Sequence, residues 1–231
     1  NAFTSPSRSL NNYLILLFNI DPRKMFEVRD AVDPEVIELS KRCEKTEDIS
    51  RYLREIPDSK YIIAYIGTLS TYHGFPDLLK AYVLVKRFLS DNIRMMLITS
   101  NKLSARLGSD LIVLNNVPRK FIPCILRRAS VLVLPHKAGT QFDFIPSNKI
   151  YDYMLAGRPI VAYRTPAVDN TLRGYKMYVP VKPNDPIELA RGIVRAIELY
   201  NETEPEPAFD RIPTLNEVAE SLKRTYLSLI K

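Results

Sequence analysis

From residue 61 onward, short apolar runs alternate with stretches whose apolar positions recur every three or four residues. The runs "YIIAYI" (61–66), "IRMMLI" (93–98), "LIVL" (111–114), "VLVL" (131–134) and "PIVAY" (159–163) are apolar throughout. That is the pattern of strands buried on both faces. A sixth run, "KMYVPV", spans 176–181. Between them, "FPDLLKAYVLVKRFLS" (75–90) places Leu78, Leu79, Tyr82, Val83 and Val85 on one helical stripe. Further helical patterns fall at about 101–108, 118–129, 147–156 and 185–200. Alternating units of this length predict an α/β fold, a doubly wound parallel sheet with helices on both faces.

The two ends differ from this core. Residues 1–57 read as helix-rich with one strand at most, near "MFEVRD" (25–30). A polar, proline-bearing linker, "NETEPEPAFDRIP" (201–213), leads into an amphipathic helix at 215–231. Docking of that helix on the body of the protein is the simpler expectation. A peripheral membrane contact through its basic face is the alternative.

The formal charge of +7 favours an anionic partner. Lys and Arg are nevertheless scattered and no RNA-binding motif occurs, so nucleic acid is not expected. Cys43 and Cys124 lack metal-like spacing and read as buried free thiols suited to a reducing, cytoplasmic setting. "YLILLF" (13–18) is far too short for a membrane span, and no signal peptide pattern is present. Asn1 in place of methionine is what a processed or trimmed chain would show. A single glutamine, no tryptophan and abundant Ile, Tyr, Arg and Lys match a thermophilic source.

In an open parallel sheet, ligands bind beyond the carboxyl ends of the strands. Those ends are Gly67-Thr68, Thr99-Ser100-Asn101, Asn115 to Pro118, His136-Lys137 and Arg164. The helix after the fourth strand should reach the same edge. Ser147 is its expected N-cap, followed by Asn148 and Lys149 in the first turn. A lysine there opposes the helix dipole unless an anion is shared between its ammonium and the free N–H groups. Lys149 is therefore either solvated or an anion ligand. Asp152 lies one turn on, on the same side, where it can pair with Lys149 or accept hydrogen bonds from a ribose diol.

No G-x-G-x-x-G, Walker-type G-x-x-x-x-G-K-S/T, H-E-x-x-H or G-x-S-x-G motif occurs. Only two histidines, His73 and His136, are available, and no metal site is expected.

Two segments resemble the donor domain of GT-B-type glycosyltransferases, especially glycosyltransferase family 4. "IAYIGTLSTYHGFPDLLKAY" (63–82) is similar to that domain's opening strand, glycine turn and helix. "IPSNKIYDYMLAGRPIVAY" (145–163) resembles the family signature P-S-N/K-K-L/I-x-E-Y-M-A-x-G-K/R-P-I/V-V-A. "NNVPRKFIPCILRRASVLVLP" (115–135) fits the segment between them, and residues 3–37 resemble the last helix, last strand and linker of the acceptor-side domain.

The resemblance implies a Rossmann-like donor domain at 58–205, a remnant of the acceptor domain and linker helices at 1–57, and a crossover helix at 206–231. It implies retaining transfer of a sugar from a nucleoside-diphosphate donor to a glycan or lipid-linked acceptor, without metal or other cofactor. Carried over, Asp152 takes the place of the glutamate that holds the ribose hydroxyls. Gly67, Thr68, His73, Lys137, Ser147, Asn148 and Lys149 surround the diphosphate and sugar, while Ser100, Val117 and Pro118 flank the base. The family's upstream acid falls on Phe144, so neighbouring Asp143 is the substitute catalytic candidate. A binding module without activity is the competing class, and a GT-B-like epimerase is a weaker third.

Overall fold

The computed structural model describes residues 2–43, 49–89, 92–101, 108 and 110–230. Six strands form one parallel sheet: β3 (Tyr61–Ile66), β4 (Ile93–Thr99), β5 (Leu111–Asn115), β6 (Val131–Leu134), β7 (Ile160–Tyr163) and β8 (Tyr178–Val181). Their order is β5-β4-β3-β6-β7-β8. The chain therefore builds outward from β3 on one side, then crosses to build outward from β6 on the other. The reversal between β3 and β6 creates a crevice at their carboxyl ends, the usual ligand position in such sheets.

Alternation along β3 sorts its side chains between two cores. Ile62, Ala64 and Ile66 enter one, and Tyr61, Ile63 and Tyr65 the other. The second core is closed by α4 (Phe75–Leu89) and α8 (Pro186–Glu202). The first is closed by α2 (Pro34–Lys41), α3 (Ser50–Arg54), α5 (Ile122–Leu126) and α6 (Lys149–Ala156). A short α7 (Pro166–Thr171) between β7 and β8 carries too few apolar residues to show a helical period. The helical pattern at about 101–108 falls mainly on residues 102–107, outside the described residues.

The N-terminal segment holds two strands where one was expected. β1 (Phe3–Ser5) and β2 (Met25–Glu27) pair in parallel around α1 (Arg8–Phe18). Three residues per strand are too few for a readable alternation.

Cys43 and Cys124 are not free thiols but form a disulfide, which removes the basis for inferring a reducing compartment. Cys43 just past α2 and Cys124 in α5, 81 residues apart in sequence, have their Cα atoms 5.2 Å apart. That is a tertiary juxtaposition with no signature in cysteine spacing.

The last helix, α9 (Leu215–Ile230), does not dock along its length. Its start is tied by Leu215 N–H to the Val32 carbonyl at 3.1 Å. No described side chain along it is buried, and Tyr226, Leu227 and Leu229 remain about half exposed. Val218 and Leu222 on one face are half-buried, and Val218 lies near Val28. No described helix is long and apolar enough to cross a membrane.

Candidate functional site

Helix α6 is held at the crevice by Tyr153, which is fully buried. Its hydroxyl donates to the Val133 carbonyl in β6 at 3.1 Å and accepts from Ile66 N–H in β3 at 3.2 Å. One phenol thus ties the helix to both strands at the switch point. Asn148 rather than Ser147 stands at the N-cap, and its backbone angles are already helical. No side chain caps this end; Ile150 and Tyr151 N–H donate to the Ser147 and Asn148 carbonyls, which leaves the N–H groups of Asn148 and Lys149, without an acceptor among the described residues, for a ligand. The other end closes at Gly157 in the left-handed conformation (φ +70°), from which the chain returns through Arg158 and Pro159 to β7.

Lys149 reaches back over the end of β3. A Cβ on Gly67 would overlap its ammonium, and Gly67 itself adopts φ +131°. Its Nζ lies 3.4 Å from His136 Nε2 and 5.6 Å from the Tyr65 ring centroid. Among the described residues no carboxylate forms an ion pair with it. Burial lowers its pKa to about 8. His136, at the end of β6, is 1% exposed and stacked on Phe142 at 3.9 Å between centroids. Burial, with the charges of Lys149 and His73, pushes His136 down to about 2, so its ring is neutral. With Nε2 accepting from Lys149, Nδ1 carries the proton, and that buried atom has no hydrogen-bond partner. His73 meets His136 edge-on at 5.4 Å and bonds Ser70 Oγ through Nδ1 at 2.8 Å.

Asp152 lies one turn along α6, 4% exposed, with Oδ1 buried and without a partner. It does not pair with Lys149. Burial raises its pKa to about 7, opposed by the charge of Arg119. A native fold rarely leaves such an oxygen unsatisfied. The arrangement suits a ligand that brings a hydroxyl to Asp152 and an anion to Lys149.

The remaining candidates take distinct places. Thr68 is exposed, and its carbonyl accepts from the Tyr65 hydroxyl at 2.8 Å. Ser100 and Pro118 are exposed, whereas Val117 leans on the core. Asn101 stitches this edge by accepting from Leu69 N–H at 3.0 Å and from Thr99 Oγ1 at 3.0 Å. Lys137 gives its ammonium to Asp77, which also accepts from the Tyr163 hydroxyl at 2.9 Å. Lys137 is therefore committed to α4, whereas Lys149 has no ion-pair partner among the described residues. Asp143 accepts from Gly139 N–H at 2.8 Å and so braces its own loop. Phe144 turns away to Tyr13 of α1, with centroids 4.4 Å apart. Sequence reasoning placed His136 at a strand end without giving it a role, and passed over Arg119. Their relation to Lys149 and Asp152 appears only once separate loops converge.

A switch-point crevice served by an uncapped helix, on a six-stranded parallel sheet, is the architecture of GT-B glycosyltransferases. Over residues 60–199 the sequence matches the model for Glycosyl transferases group 1, and the chain belongs to that family. A glycosyltransferase from Rickettsia africae superposes with a TM-score of 0.74 at 14% identity, over 100% of this chain and 64% of that one. Sucrose-phosphate synthase from Thermosynechococcus elongatus gives 0.72 at 13% identity, over 98% of this chain and 58% of that one. HepE from Anabaena, in complex with UDP and glucose, gives 0.73 at 15% identity, over 98% and 63%. The likeness at these identities is one of fold, and this chain spans less than two thirds of each of those proteins. No curated protein matches the chain.

Proposed function

We propose that this chain is the donor half of a retaining glycosyltransferase, which moves a sugar from a nucleoside-diphosphate sugar to an acceptor hydroxyl. The observation that carries the reading is the pairing on α6 of an ammonium without a counter-ion and a buried carboxylate with an empty acceptor position. Lys149 and the uncapped N–H groups match a departing diphosphate, whose charge they would stabilise in a partly desolvated site. Asp152 matches a ribose diol one helical turn away. Ser100, Val117 and Pro118 lie on the loops where a base would extend. The acceptor hydroxyl attacks from the face that the diphosphate leaves, and no protein nucleophile is assigned. UDP-glucose is the first donor to try, given the ligands of HepE.

A second reading, a nucleotide-sugar binding module without transfer, draws on two observations. The position of the family's upstream acid is Phe144, packed on Tyr13, and Asp143 is engaged with Gly139. Calorimetric titration with UDP-, GDP- and ADP-sugars, followed by a transfer assay with glycan and lipid-linked acceptors, separates the two. Binding with transfer and unchanged anomeric configuration supports the enzyme, binding alone supports the module, and absence of binding ends both.

A further inference from the structure

A second concave site lies against another part of the α6 region. It is a cleft of about 450 Å³ between the β1-α1-β2 segment and the α7 region, and Gly67, Lys149 and Asp152 are not among its lining residues. Arg8, Arg29, Arg173 and Arg211 line it, with Glu27 as its one carboxylate. Glu27 is already engaged by Arg29 at 2.7 Å. Arg211 donates to the Arg173 backbone carbonyl, and Arg173 donates to Asn170 Oδ1 at 2.9 Å, so both side chains are anchored at one wall. The facing wall is the start of α1, where Arg8 occupies the first turn and no acid offsets the positive end of the helix. Asn170 bonds Ser9 Oγ at 3.1 Å and fixes the two walls relative to each other.

We infer that this cleft binds a phosphoryl-bearing small molecule at a site separate from the donor crevice. Four arginines against one engaged carboxylate give the cleft a net positive lining that favours an anion. Their planar forks match phosphate oxygens in paired hydrogen bonds. The volume falls in the range of small-molecule sites and accommodates a ligand of about sugar-phosphate size. Because the arginines come from both the N-terminal segment and the main domain, an occupant would clamp the two together.

The test uses inorganic phosphate as the probe, titrated calorimetrically at about 0.15 M salt so that diffuse attraction is screened. Three forms are compared: the parent chain, Arg8→Gln/Arg173→Gln and Lys149→Met. The expected result is saturable binding in the parent chain, weakened at least about tenfold in the arginine double variant and retained in Lys149→Met. All four arginines are solvent-exposed, so the substitutions spare the core, and unfolding curves verify this. Arg29→Gln/Arg211→Gln provides an independent pair with the same expected loss. Absence of saturable binding overturns the inference. Parent-level affinity retained in both double variants, or loss only in Lys149→Met, overturns it as well. The last outcome would place the anion in the donor crevice.

Discussion

The ammonium of Lys149 occupies the space that a side chain on Gly67 would need. The first turn of α6 and the end of β3 are thereby interlocked, and Gly67 serves both its own positive φ of +131° and the passage of the lysine. Gly67→Ala is expected to destabilise the fold by about 1–3 kcal/mol through backbone strain. It should also displace Lys149 and weaken nucleotide-sugar binding roughly tenfold. Denaturant unfolding and calorimetry read the two effects separately.

Lys149→Met should lower donor affinity by about 10–100-fold, the cost of one charge-assisted contact. The lysine also leaves a signature in the unliganded protein. Its pKa is about 8 when folded against the ordinary lysine value of 10.5, so between those values the unfolded chain holds a proton that the folded chain has released. Stability should therefore rise with pH across that window. Unfolding curves at pH 8 and above should show this rise in the parent chain and a smaller one in the methionine variant.

Asp152 titrates in the opposite sense. Its folded pKa of about 7 exceeds the ordinary aspartate value of 3.8, so stability associated with it is present at low pH and declines as pH rises through that interval. Asp152→Asn should then stabilise the unliganded protein at pH 8 by about 1–3 kcal/mol, because it removes an unpaired buried charge. The same change should weaken nucleotide-sugar binding. Parent affinity should increase from pH 6 to pH 8 as the carboxylate ionises. A melting-temperature series and a parallel binding series measure both trends.

Much of the fold was legible in the chain because strands buried on both faces are apolar throughout. "YIIAYI" and "VLVL" match β3 and β6 without adjustment. Strand order was not legible, since periodicity does not say which strand lies beside which. That order makes Gly67 and His136 neighbours at the crevice. The helix carrying Lys149 and Asp152 was found from its polar positions in an apolar context. Its cap was misplaced because Ser147 has the right chemistry but Asn148 has the cap position. The partners of Lys137 and Phe144, Asp77 and Tyr13, were not legible because they are more than fifty residues away in sequence.

The Cys43–Cys124 bond encloses a separation of 81 residues. By loop-closure entropy its reduction should cost about 4–5 kcal/mol. A thiol titration of the unreduced, denatured chain should find no reactive cysteine, and unfolding in the presence of a reductant should show the loss.

The central claim concerns where a nucleotide sugar sits, and a crystal structure of this chain with UDP-glucose tests it most directly. The account predicts the diphosphate beside Lys149 and the first turn of α6, with a ribose hydroxyl within hydrogen-bond distance of Asp152 Oδ1. A nucleotide bound elsewhere, with Asp152 Oδ1 still unpartnered, would contradict it.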